Sequence, residues 1–270
     1  MPRFDTISFL SDYGLADEFV GVCKAVIRRI APEAAVVDIC HEIPPHDVRA
    51  GSLTLARAAQ YLPAGVVLGI VDPGVGSDRR AVAVEAAAGE AVFVGPDNGL
   101  LASAVAMTGG AQRAVALTNE EYQLPAPGPT FAGRDVFAPA AAYICEGVEL
   151  TDLGEEIDPL SLLPGMLPLS RAENGRLVGE VLWVDRFGNI QLNVDPEELS
   201  SMGDTLTLRF ADQVRTAVRA TTYADLGPGQ IGLVVDSYGL VSVALARRSA
   251  ADELRLHPPT PVSLEPAAEG

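Results

Sequence analysis

Cysteine, histidine and basic side chains are all scarce in this sequence, and each shortage removes a class of function. Cys23, Cys40 and Cys145 are odd in number, far apart and set in apolar runs. Neither a disulfide framework nor a metal-ligand spacing can be built from them, so they read as reduced core residues. The histidines, His41, His46 and His257, include no i, i+4 pair that would place two imidazoles on one metal, and no metal is expected. Lys and Arg number 19 against 36 Asp and Glu, a formal charge of -17. Such a surface repels a polyphosphate backbone, which excludes nucleic acid as the expected partner; keeping the protein in solution is its simplest use. No apolar run approaches the roughly 20 residues of a membrane helix. Met1-Pro2-Arg3-Phe4-Asp5 has no signal-peptide hydrophobic region, so the expected compartment is the cytoplasm, without a membrane partner.

What remains is ample material for a core, 270 residues of which 48% are hydrophobic. The first half alternates strand-like and helical patterns. Thr6 to Leu10 is followed by Phe19, Val20, Cys23, Val26, Ile27 and Ile30 on one helical face. Further strands are predicted at Ala35 to Ile39, Val66 to Val71, Ala81 to Val84, Ala91 to Val94 and Arg113 to Leu117, with helices near 47 to 60, 98 to 108 and 135 to 146. This alternation predicts an α/β domain over 1–164, a largely parallel sheet with flanking helices. A Pro- and Leu-rich stretch follows, and residues 165–270 comprise a linker and short strands without helical spacers, a small all-β barrel or sandwich.

Asp12 follows the first strand and Asp72 follows the Val66 to Val71 strand. Both therefore emerge at the carboxyl edge of an open parallel sheet, where such folds bind ligands. By position alone each is equally a turn former or helix cap. Asp72-Pro73-Gly74-Val75-Gly76 lacks the Lys-Ser/Thr of a phosphate loop and the spacing of a dinucleotide fingerprint. Arg79 and Arg80 close that loop; permanently charged, they hold anions and cannot serve as bases. Thr130-Phe131-Ala132-Gly133-Arg134-Asp135 opens a helix, Asp185-Arg186-Phe187-Gly188-Asn189 separates two strands, and Tyr223 presents a flat ring. Taken one at a time, these segments leave function open.

In this order, Ser11-Asp12-Tyr13-Gly14, Asp72 to Gly76 with Arg79, Gly95-Pro96-Asp97-Asn98-Gly99-Leu100, Thr130 to Asp135 and Phe187-Gly188-Asn189 resemble the S-adenosylmethionine hydroxide adenosyltransferases, relatives of fluorinating and chlorinating enzymes. The resemblance spans nearly the whole chain. It implies hydrolysis of S-adenosylmethionine to adenosine and methionine without a cofactor, by a homotrimer whose sites lie between subunits. It assigns Asp12 to the ribose hydroxyls, Tyr223 and Asn189 to adenine, and Asp185 to the methionine ammonium. Ser237 matches a methionine carboxylate contact, although Tyr238 stands where halogenating relatives carry arginine. Phe131 and Gly133 are implied substrate contacts.

The family's water site implies an Asp, Arg and His triad. Asp72 and Arg79 have the expected seven-residue spacing, but the motif Thr-Phe-His-Gly-Arg-Asp carries Ala132 in its third place. Alanine can neither orient water nor take its proton. The otherwise intact motif favours a deliberate His→Ala replacement over natural divergence, and impaired turnover is expected. Halide transfer to the same carbon is disfavoured, since halogenating relatives lack the Asp and Arg pair. Binding of S-adenosylmethionine without catalysis is the alternative that Ala132 supports. A Rossmann-type methyltransferase is a weaker one, because the Gly-rich loop after the first strand is absent.

Overall fold

The computed structural model describes residues 3–165 and 167–267. The chain divides into two compact units, Met1–Met166 and Leu167–Gly270. The first contains β1 (Thr6–Ser11), α1 (Phe19–Ile30), β2 (Ala35–Cys40), α2 (Val48–Ala59), β3 (Gly65–Ile70), β4 (Ala81–Ala86) and β5 (Ala91–Pro96). α3 (Ala102–Met107), β6 (Arg113–Ala116), α4 (Ala138–Cys145) and β7 (Glu155–Ile157) complete it. Its strands lie in the order β2-β1-β3-β5-β4-β6-β7.

The α/β class is as the alternation predicts, but the parallel part is confined to β2, β1, β3 and β5. β4, β6 and β7 run antiparallel to their neighbours. The cause is local: β4 and β5 are joined by the turn at 87–90, far too short for a crossover helix, so β5 must reverse. Strand side chains alternate between two cores. Ile7, Phe9, Val66, Leu68 and Ile70 pack with α1 and α4, while Leu10, Val67 and Val71 pack with α2 and α3. Both faces of the sheet are thus covered, and the carboxyl edge of its parallel half is left for function.

Helix ends follow ordinary chemistry. α1 buries Val20, Cys23, Val26 and Ile27 and places Arg28 and Arg29 in its last turn, where the macrodipole favours cations. α2 starts at Asp47, whose side chain accepts the Ala50 N–H at 2.8 Å, a cap typically contributing about 1 kcal/mol. The helix expected near 98 to 108 is shorter at its start, because Gly95 to Leu101 forms the end of β5 and a turn. The one expected from 135 begins instead as a π-helical turn, Gly133–Phe137, running directly into α4.

The second unit contains β8 (Arg171–Glu173), β9 (Arg176–Val184), β10 (Ile190–Leu192), β11 (Thr205–Phe210), β12 (Gln213–Ala220), β13 (Ile231–Val235), β14 (Val241–Leu245), α5 (Ala250–Leu254) and β15 (Pro261–Pro266). The order β10-β14-β13-β12-β11-β15-β9 closes through the β10 to β9 pairing, and β8 extends β9 as a hairpin. Of the two expected architectures, barrel or sandwich, this is a barrel. Leu206, Leu208 and Phe210 on β11 alternate inward with Leu264 on β15 and Leu233 on β13. No helix among the described residues is long and apolar enough to cross a membrane.

Candidate active site

Asp12 and Asp72 leave the ends of adjacent strands, since Ser11 stands opposite Ile70 in the β1 to β3 register. The Asp12 N–H donates to the Ile70 carbonyl at 3.2 Å. Its carboxylate accepts the His46 N–H at 2.9 Å, and His46 adopts the left-handed φ of 70° to deliver it. At the end of β3, Asp72 and Arg79 form a two-pronged ion pair: Arg79 Nε donates to Oδ1 at 2.8 Å and Nη2 donates to Oδ2. The side chains are 7% and 15% exposed, and the Arg79 guanidinium lies 5.0 Å from the Phe137 ring centre. Such bidentate, shielded geometry fixes both groups far better than an exposed pair. Asn98 Nδ2 donates to the Val71 carbonyl at 2.9 Å and ties the loop after β5 to the same edge.

The segment 130–135 reaches this edge through the π-helical turn. Ala132 lines a cleft of about 760 Å³ together with Gly76, Ser77, Arg79 and Asp135. Phe131 packs edge-on against Tyr13 and Phe19, with ring centres 5.6 and 5.0 Å away. Gly133 is buried, and a Cβ there would fall on the Tyr13 hydroxyl; only glycine lets that ring in. Arg134 pairs with Asp135 at 2.6 and 3.0 Å. Burial pushes the Tyr13 hydroxyl far above its ordinary pKa, with Cys23, Asp12 and Asp72 adding to the rise and Arg79 opposing it.

A second group of candidates lies on the turns that flank β10 and β14 of the barrel. β9 and β10 are joined by 185–189 and β13 and β14 by 236–240; because β10 and β14 pair antiparallel, these two turns leave opposite ends of the short strands, and β12, parallel to β13, brings Thr222 to Asp225 to the 236–240 end. Asp185 Oδ1 accepts the Phe187 and Asn189 N–H groups, each at 2.8 Å, and its Oδ2 accepts Asn189 Nδ2 at 2.8 Å. That bond orients the amide so that Asn189 Oδ1 is turned to another donor. Gly188 has φ of 82° and a Cβ there would collide with Ser249, so the Phe-Gly-Asn spacing is dictated by the docking of α5. Asp236 fastens the neighbouring turn, accepting Tyr238 N–H at 2.8 Å, Gln191 Nε2 at 2.6 Å and Ser242 Oγ at 3.1 Å; Ser237 is exposed beside it. Tyr223 sits on a short turn capped by Thr222 and Asp225. Burial, then the charges of Asp185 and Asp236, raise its pKa.

Two family models meet these two units. Residues 7–154 match the SAM hydroxide adenosyltransferase N-terminal domain and residues 179–263 match its C-terminal domain. The chain belongs to this family. It is similar to the (R)-S-adenosyl-L-methionine hydrolase of Salinispora tropica, 45% identical over 252 residues, covering 93% of this chain and 94% of that one. A fluorinase of Actinoplanes sp. is 28% identical over 276 residues, 90% of this chain and 91% of its own. Among solved structures, an uncharacterized conserved protein from Thermotoga maritima superposes with a TM-score of 0.87 at 34% identity, over 96% of this chain and 99% of that one.

Within this member of the SAM hydroxide adenosyltransferases, the structure brings Asp12, Asp72, Arg79, Phe131, Ala132 and Gly133 to one edge of the first unit. In the second, Tyr223 and Ser237 share one end of the barrel, and Asp185 and Asn189 lie across the short β10 and β14 from them, near enough that the Asp185 charge acts on Tyr223. Arg80, read as an anion holder, holds the carboxylate of Asp97, its Nε donating at 2.9 Å, and it also bonds Ser161. Sequence reasoning missed Tyr13, which only the bare Gly133 betrays, and the buried His41, whose link to Ser11 depends on the β1 to β2 pairing. Among the described residues no group of three His, Cys, Asp or Glu is placed to hold a metal.

Proposed function

We propose that this chain hydrolyses S-adenosylmethionine to adenosine and methionine, by attack of water on the ribose 5′ carbon, with no cofactor. The observation that carries this is the shielded, bidentate Asp72–Arg79 pair lining the carboxyl edge next to Asp12. The sulfonium leaves as a neutral thioether and needs no acid, so the burden lies on water, whose pKa in bulk is about 15.7. Arg79 supports negative charge developing on the attacking oxygen, and Asp72 orients the water and receives or relays its proton. Asp12 holds the ribose hydroxyls, with Phe131 and Gly133 shaping that side. Tyr223 and Asn189 take the adenine, its amino group donating to Asn189 Oδ1, while Asp185 and Ser237 take the methionine ammonium and carboxylate. Since these residues lie in two units, the active species is a homotrimer that shares each site between neighbours, working in the cytoplasm.

The names of the Salinispora relatives point to the (R)-sulfonium diastereomer as substrate. Ala132 supplies no group toward water, so turnover is slow relative to binding. The test is to incubate the trimeric protein with each diastereomer in ¹⁸O-water. The label should enter the adenosine 5′-hydroxyl, and (R) should be consumed faster. Ligand retained without adenosine release establishes the binding-only alternative, and a 5′-haloadenosine formed in chloride or fluoride establishes halide transfer.

A further inference from the structure

Beneath Asp12 a chain of hydrogen bonds runs from the interior to the surface. Ser11 Oγ meets His41 Nδ1 at 2.8 Å, His41 Nε2 meets Asp38 Oδ1 at 3.1 Å, and Lys24 Nζ donates to Asp38 Oδ2 at 2.7 Å. Burial acts to raise the Asp38 pKa, but hydrogen bonds from Lys24 and His41 hold it below the usual carboxylate range. A carboxylate only accepts, so His41 carries its proton on Nε2 and offers a bare Nδ1 to the Ser11 hydroxyl. The lone pairs of Ser11 Oγ then face the Tyr13 N–H at 3.4 Å, and the His41 carbonyl accepts the Gly14 N–H at 2.7 Å.

A serine, a histidine and an aspartate in series suggest a nucleophile, and two observations exclude it. Ser11 is 0% exposed, and the ring is reversed relative to hydrolytic triads, which present Nε2 to the serine and Nδ1 to the acid. What the chain does touch is the peptide on either side of Asp12's loop. We infer that Ser11, His41 and Asp38 are positioning residues for Asp12, setting where its carboxylate stands and so the affinity for the nucleoside half of the substrate. This rests on Asp12 being the ribose contact.

The test is a double-mutant cycle on adenosine binding, read by calorimetry with thermal melting as a check on folding. Ser11→Ala and His41→Phe, which keeps an aromatic ring against Phe9, should each weaken adenosine about three- to ten-fold, the scale of one to two lost hydrogen bonds. In an Asp12→Asn background Ser11→Ala should add less than about two-fold, because both changes act through one carboxylate. A purely structural role would lower the melting temperature and leave the affinity of folded protein alone. Unchanged affinity in a folded Ser11→Ala protein, or fully additive losses, overturns the inference. If Ser11→Ala does not fold, Asp38→Asn at the solvent end is held to the same criteria. Wild-type protein that does not bind adenosine overturns the functional proposal along with this one; wild-type binding with unaffected variants overturns this one alone.

Discussion

Ala132 immediately precedes the π-helical turn Gly133–Phe137, with helical φ and ψ of -58° and -26°, on the wall of a cleft that Arg79 also lines. Insertions of this kind concentrate at functional positions because the extra residue re-aims neighbouring side chains. A longer side chain at 132 has room to enter the cleft without disturbing the backbone. Ala132→His should therefore raise adenosine formation by roughly 10² to 10⁴, the usual worth of a general acid-base group, with little change in ligand affinity. The gain should collapse in Asp72→Ala or Arg79→Ala backgrounds, since groups acting as one unit are not additive. Single-turnover rates measured beside binding constants check both statements, and an unchanged rate in folded Ala132→His removes position 132 from the catalytic apparatus.

Elements, by contrast, draw their stability from fastenings such as Asp236, whose carboxylate closes the turn between β13 and β14 and satisfies the buried Gln191. Asp236→Ala leaves that amide without its acceptor. A loss of about 1 to 3 kcal/mol is expected in urea unfolding, together with weaker ligand binding. Most elements were legible in the sequence because their apolar residues repeat with the right period: β1, β2, β4, β5 and β6 begin at their expected residues, and α1 shows its buried stripe. β7, β8 and β15 escaped notice for physical reasons. Glu155–Ile157 and Arg171–Glu173 are short and polar, and Pro261–Pro266 is bounded by prolines that argue against a ladder strand. The site shows the same division. Asp12 and Asp72 announce themselves by following strands, whereas the Ser11 to His41 link is created by pairing between strands that sequence spacing does not specify.

At the scale of the molecule, Cys23 and Cys145 lock two thiols into the core of the first unit. Burial, seconded for each by a neighbouring carboxylate, pushes both from 9.0 up to about 12. A raised folded pKa contributes stability that is fully present below the unfolded value and is lost as pH climbs through the folded one. The first unit should therefore weaken between about pH 9 and pH 12, and alkylation at pH 8 should spare Cys23 and Cys145 until the chain unfolds. Mass spectrometry of native and urea-treated protein decides this. The 36 acidic residues against 19 basic ones leave the molecule with its charge of -17. Light scattering is expected to show trimers; monomers that keep full affinity would contradict a site shared between subunits.

The order of strands around the barrel also bears on when the protein becomes competent. β15 lies between β11 and β9, so the wall has a gap until residues 261–266 have been synthesised. The first unit needs none of these residues for its own sheet and is free to fold while translation continues. For the second, β9 and β11 wait with unpaired edges, the condition under which nascent chains pair wrongly with one another. Maturation is then ordered in time, the unit that carries Asp72 and Arg79 standing ready first and the barrel sealed by the last of its strands to arrive.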